Sequence, residues 1–178
     1  MASRIKWTDR TFDFNFPVGL YPELIERLHG VPARLEEHCH NVPPGVLTVQ
    51  QDGRWSMQEN AGHLLDLESL VQQRIGEYVS GAELLHPADM SNRKTYDASH
   101  NDTPVETILQ NFRHERMTTV DRLSNLESEI FGRAALHPRL NVNMRLVDML
   151  FFQAEHDDYH LARISELRRA LLRAVAQT

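Results

Sequence analysis

The sequence predicts an all-α protein, a four-helix bundle whose second and third helices run parallel. Three observations lead there. Four segments carry apolar residues at helical spacing. No segment alternates convincingly as a strand, and no internal repeat is visible. The link over residues 82–102 is long for a structureless loop, whereas a link between parallel neighbours must travel a helix length. The 178 residues are read as one bundle domain (1–178), with 1–16 as an extended N-terminal arm whose Phe12, Phe14 and Phe16 pack on it.

The first helix is expected over about 22–41, where Tyr21, Leu24, Ile25, Leu28, Leu35 and Cys39 keep helical spacing. Pro32 lacks a backbone donor and should kink or split it. The second starts at a capping box, Ser56-Met57-Gln58-Glu59, and closes at Gly81. Met57, Ala61, Leu64, Val71, Ile75 and Tyr78 form its stripe. The third opens with Thr103 as cap and Pro104 at the first helical position. Ile108, Phe112, Val120 and Leu123 lie on its apolar face. The fourth is expected from Asn141 or Asn143 to about Ala174.

Composition excludes several classes. Apolar residues make up 41% and charged residues 25%, a globular balance that disorder of the whole chain does not match. A net charge of −6 lacks the footprint of a nucleic-acid binder and argues against anionic membrane surfaces. One cysteine allows no internal disulfide, which fits a reducing cytoplasm. No apolar run approaches a membrane span, and MASRIKWTDRTFDFNF has no signal-peptide core.

Ten histidines make metal or acid–base chemistry the first question. His156 and His160 are spaced i, i+4 on the fourth helix, so their rings stand one turn apart. At about 100° per residue both fall on the stripe of Met149, Phe152, Ile164 and Leu167, facing the core. Two core imidazoles are costly unless hydrogen-bonded or metal-bound, and the residues alone leave both readings open. His63 sits at the edge of the second helix's apolar stripe. Glu59 and Asp66 lie on its side, placed to accept the other ring N–H of a ligand. A capping role for Glu59 and a solvated face for Asp66 are the plainer readings. His38, Cys39 and His40 are neighbours that point apart, and Cys39 reads as a small buried hydrophobe. His86 and His137 precede prolines in connectors, and His100 lies in the long link, from which it could reach a cleft. His156-Asp157-Asp158-Tyr159-His160 has the histidine spacing of a zinc-protease helix, but Asp157 stands where the catalytic Glu belongs. The di-iron pattern needs Glu-x-x-His on two helices and is not met. No nucleophile elbow, phosphate loop or dinucleotide fingerprint is present.

Trp55-Ser56-Met57-Gln58-Glu59-Asn60-Ala61-Gly62-His63-Leu64-Leu65-Asp66-Leu67-Glu68 resembles the second-helix signature of the DinB-like (YfiT-like) superfamily. Ala154-Glu155-His156-Asp157-Asp158-Tyr159-His160-Leu161-Ala162-Arg163-Ile164 resembles its fourth-helix signature. The resemblance covers nearly the whole chain. It implies a four-helix bundle of up-down-down-up topology with His63, His156 and His160 as ligands of one divalent metal, Zn²⁺ or Ni²⁺. It also implies a homodimer, and a metal-dependent hydrolase or a transferase joining a low-molecular-weight thiol to a small-molecule electrophile. A non-catalytic metal-binding or structural bundle is the rival expectation. In the long link, Arg93 is a candidate to meet a substrate carboxylate above the metal and Tyr96 to add an amphipathic wall, against a plain solvated loop.

Overall fold

The computed structural model describes residues 4–175 and 177. Residues 1–3 of the expected arm lie outside them. The first expected helix is split, into α1 (Tyr21–His29) and α2 (Val31–Cys39). The break falls at Gly30, so Pro32 occupies the first turn of α2, where its missing donor costs nothing. A short α3 (Pro44–Leu47) follows. The second bundle helix is α4 (Met57–Ser80), opened by the expected Ser56–Glu59 capping box and closed by Gly81 at φ 75°.

A short α5 (Arg93–Asp97) sits in the long link, and α6 (Val105–Ser124) is the third bundle helix. Its cap is Pro104 rather than Thr103, and no side chain caps it. Two strands, β1 (Ala134–His137) and β2 (Val142–Arg145), then pair antiparallel. This hairpin was not expected from the sequence. Each strand has four residues with weak alternation, and both are held by burial of Ala135, His137 and Met144 against the bundle. The fourth bundle helix, α7 (Leu146–Val175), therefore starts later than Asn141 or Asn143. Asp148 reaches back to accept from the Arg145 N–H at 2.8 Å, an N-terminal tie that replaces a Ser or Thr cap.

Side-chain bonds fix the helix directions. Along α4 and α6, Gln58 bonds the Thr103 carbonyl just before α6, Glu68 meets Arg116 and Thr119, and Arg122 bonds the Gln72 carbonyl. The partners advance together, so α4 and α6 are parallel. Between α4 and α7 the order reverses: Asn60 meets His160, while Tyr78 reaches the Met144 carbonyl. Arg27 and Arg34 pair with Asp158, and Arg168 reaches the His40 carbonyl, so α1–α2 and α7 run the same way. The bundle is up-down-down-up.

The parallel pair obliges residues 82–102 to cross the bundle, and this crossover is fastened throughout. Leu85 and Leu136 share a backbone bond of 3.0 Å with the hairpin. Lys94 donates to the Asp66 carbonyl at 2.9 Å, and Gln58 donates to the His100 carbonyl at 2.6 Å. Leu28, Ile75, Leu146, Val147 and Leu150 fill one half of the core. Leu35, Leu64, Phe112, Ile164 and Leu167 fill the other. Burial on this scale contributes roughly 1.5–3 kcal/mol for each large side chain. Trp7, within a short 3-10 turn (Trp7–Asp9), and Phe12, Phe14 and Phe16 of the arm lie against the first half.

Candidate metal centre

Antiparallel packing of α4 on α7 brings three histidines together. One nitrogen from each of His63, His156 and His160 lies within 4.8 Å of the others. All three rings are buried. Burial drives the His63 and His156 imidazoles down to about 3, with His156 adding to the effect on His63 and Arg116 to that on His156. His160 is held well below its ordinary range by burial and by its two neighbours. The cluster is thus three neutral imidazoles, the form that ligates a metal.

Two of the rings are oriented from behind. His160 Nδ1–H donates to Asn60 Oδ1 at 2.8 Å, and His63 Nδ1 pairs with Thr95 Oγ1 at 3.0 Å. Both bonds occupy Nδ1 and leave Nε2 as the nitrogen able to ligate. His156 Nδ1 is buried and has no hydrogen-bond partner among the described residues. Unmatched buried polar atoms are costly, and a cation in the cluster is the simplest partner for lone pairs that converge without donors. The residues therefore fit a single metal ion.

The carboxylates expected behind the histidines are placed differently. Glu59 is spent on the capping box and accepts from Gln50, away from the rings. Asp66 accepts from His100 Nε2 at 2.8 Å and from the Thr95 hydroxyl. Burial works to raise its carboxyl, but those two bonds hold it below the ordinary carboxylate range. Asp66 therefore reaches His63 at one remove, through Thr95. Of the crossover residues, it is Thr95 that turns inward. The Arg93 side chain is 82% exposed and pairs with Asp97, so the structure does not bring it to the histidines. Tyr96 is exposed, with its ring 5.7 Å from Trp55.

Further residues of the site were not read from the sequence. Trp55 lies 4.7 Å from the His63 ring, and Trp7 meets His156 edge-on at 4.9 Å. His100 fits under α4 only because residue 62 is glycine: a Cβ there would stand 2.2 Å from the His100 ring. Behind His156, Arg116 is wholly buried between Glu68 and Asp157, each at 2.6 Å. Glu68 and Asp157 sit on the buried faces of α4 and α7, and the sequence alone did not mark them as partners of a buried arginine. Cys39 lines a separate cavity of about 730 Å³ with Leu47, Gln58 and Glu106, outside the histidine cluster. Burial pushes its thiol up to about 12, consistent with an inert core residue.

Comparison with known proteins agrees with this architecture. The "Putative metal-dependent hydrolase YfiT" of Bacillus subtilis (strain 168) is 25% identical over 179 residues, covering 89% of this chain and 96% of that protein. The solved structure of YfiT from Bacillus subtilis, a four-helix bundle of unusual topology, superposes with a TM-score of 0.78 at 20% identity, over 91% of this chain and 93% of that one. A mycothiol-dependent maleylpyruvate isomerase superposes with a TM-score of 0.64 at 10% identity, over 86% of this chain and 62% of that one. Residues 27–164, which run from α1 through both histidine-bearing helices, match the DinB superfamily, and the chain belongs to that family.

Proposed function

We propose that this protein is a metal-dependent enzyme acting on a small molecule through one divalent ion, Zn²⁺ or Ni²⁺, held by His63, His156 and His160. The observation that carries the reading is the set of three buried, neutral imidazoles whose nitrogens stand within 4.8 Å of one another. Three protein ligands suit a catalytic ion, which keeps a coordination position open. When bound, the ion supplies Lewis acidity that lowers the pKa of a water or a thiol.

The chain's own groups do the rest. Asn60 and Thr95 fix the ring planes of His160 and His63. Asp66, accepting from Thr95, draws electron density toward His63 and raises its basicity as a ligand. Trp7 and Trp55 wall the centre on two sides and exclude water, which strengthens every electrostatic interaction inside.

Hydrolysis is the favoured reaction, by likeness to the relative from Bacillus subtilis. Transfer of a low-molecular-weight thiol to an electrophile is the second reading, supported by the fold shared with the mycothiol-dependent isomerase. A homodimer accompanies both.

Metal analysis of the purified protein tests the centre: one equivalent is expected in the wild type and none in a His63→Ala, His156→Ala, His160→Ala variant. Stoichiometric metal in the variant refutes the site. Ester and amide panels, and thiols with a model electrophile, then separate the reactions. Turnover that depends on His156 is expected in one panel, and silence in all of them favours a non-catalytic module.

A further inference from the structure

Two buried donors stand unmatched together on the hairpin. His137 ends β1 and is 2% exposed. Its Nδ1 accepts from the Leu140 N–H at 3.2 Å, which places the ring proton on Nε2. That Nε2–H finds no acceptor among the described residues. Two residues on, Arg139 Nη2 is buried without an acceptor, and Arg139 forms no ion pair among the described residues. A buried donor left unmatched costs about 1–3 kcal/mol.

A third cation lies close by. Arg74 of α4 is 5% exposed, and its guanidinium bonds the His86 carbonyl at 2.8 Å. The nearby acids are committed elsewhere. Glu77 accepts from the His86 N–H, Glu155 pairs with Arg27 and Arg10, and Glu68 and Asp157 hold Arg116. The hairpin corner therefore sets two arginines beside a buried imidazole: the Glu77 carboxylate offsets Arg74, while His137 Nε2–H and Arg139 Nη2 meet no acceptor among the described residues.

This corner adjoins the metal centre. The His137 ring is 5.3 Å from Phe152, one turn before His156 on α7. The Arg139 guanidinium lies 5.4 Å from the Phe152 ring and 5.9 Å from Trp7, and Trp7 touches His156. A single aromatic layer separates the two.

We propose that His137 Nε2–H and the Arg139 guanidinium, backed by Arg74, form a subsite for a carboxylate of the substrate. The planar fork of arginine matches a carboxylate's two oxygens, and an imidazole N–H adds a third, directional bond. The substrate class is thus a small carboxylic acid whose reactive group extends past Phe152 and Trp7 to the three histidines. Its catalytic meaning rests on the proposed metal centre; the carboxylate subsite itself does not require the ion.

Titration of metal-free and metal-loaded protein with glutarate, and with glutaramide as the uncharged control, tests this at fixed ionic strength. Calorimetry reads affinity and the His137 ring signals in NMR read location. Glutarate is expected to bind both forms and shift His137, and glutaramide to bind neither. Arg139→Gln should weaken glutarate about tenfold or more. Arg139→Lys, which keeps the charge but loses the fork, should fall between the two, and it serves if the glutamine variant does not fold. Glutarate bound equally well by either folded variant, or not at all by the wild type, overturns the subsite. A wild type that holds no metal yet binds glutarate refutes only the metal centre.

Discussion

Asn60 and His160 are 100 residues apart in sequence, yet Asn60 Oδ1 accepts from His160 Nδ1 at 2.8 Å. The bond fixes the ring at the point where α4 and α7 cross. Asn60 is itself held by its amide, which donates to the Ser56 and Trp55 carbonyls. Asn60→Ala should therefore lower metal affinity about 10–100-fold with little change in fold, while Asn60→Asp, which keeps an acceptor, should recover most of it. Competition against a chelating dye measures both.

Gly62 gives a second expectation. Gly62→Ala drives a Cβ into the His100 ring, 2.2 Å away, in a helix where alanine is otherwise favoured over glycine. The strain of overpacking, about 1–3 kcal/mol, should win, lowering the denaturation midpoint in urea. Gly62→Ala combined with His100→Ala should recover stability, because the obstruction is the ring itself.

Arg116 gives the largest expected loss. It is fully buried, and its two carboxylate partners keep it charged against the burial that would lower its pKa. Removing it leaves Glu68 and Asp157 buried without a cation. Arg116→Met should cost about 3–5 kcal/mol in chemical denaturation, although methionine is the better core residue by volume. The triple replacement of Arg116, Glu68 and Asp157 by apolar residues should cost less than that single change.

His137 supplies a pH dependence. Burial, then Arg74 and Arg139, push its imidazole down to about 4 from an ordinary 6.5. Above pH 6.5 the folded and unfolded chains are both neutral there, and the residue contributes nothing. Between 6.5 and about 4 the unfolded chain takes up a proton that the folded chain refuses. Stability should then fall by about 1.4 kcal/mol per pH unit on account of this residue. His137→Asn keeps an acceptor for the Leu140 N–H and has no such proton. Its stability should fall less steeply than the wild type's over that window, by thermal denaturation of the metal-free protein.

The bundle helices were legible because long amphipathic segments with strong caps announce themselves locally. Ser56 and Glu59 marked the start of α4, and the length of the 82–102 link required a parallel pair. The core-facing placement of His156 and His160 was legible for the same reason, since they share a stripe with Phe152 and Ile164, whereas their grouping with His63 came from the resemblance of the two helix signatures. What escaped depends on contacts between distant segments. The hairpin's four-residue strands carry too little pattern to signal themselves. Thr95 and His100 lie in a polar link whose docking on α4 follows from the crossover's path. The Arg116 cluster escaped because nothing local distinguishes a buried ion pair from a solvated one.

Trp7 and Trp55 are the chain's two tryptophans, and each lies against a different histidine of the centre. Tryptophan emission from this protein therefore originates at the centre. Occupancy there, by an ion or by a small molecule sliding between the rings, will register as a change in intrinsic fluorescence without any attached dye. The two indoles also report separately, Trp7 from the arm and Trp55 from the start of α4. Single replacements by phenylalanine would split the signal into the two halves of the wall.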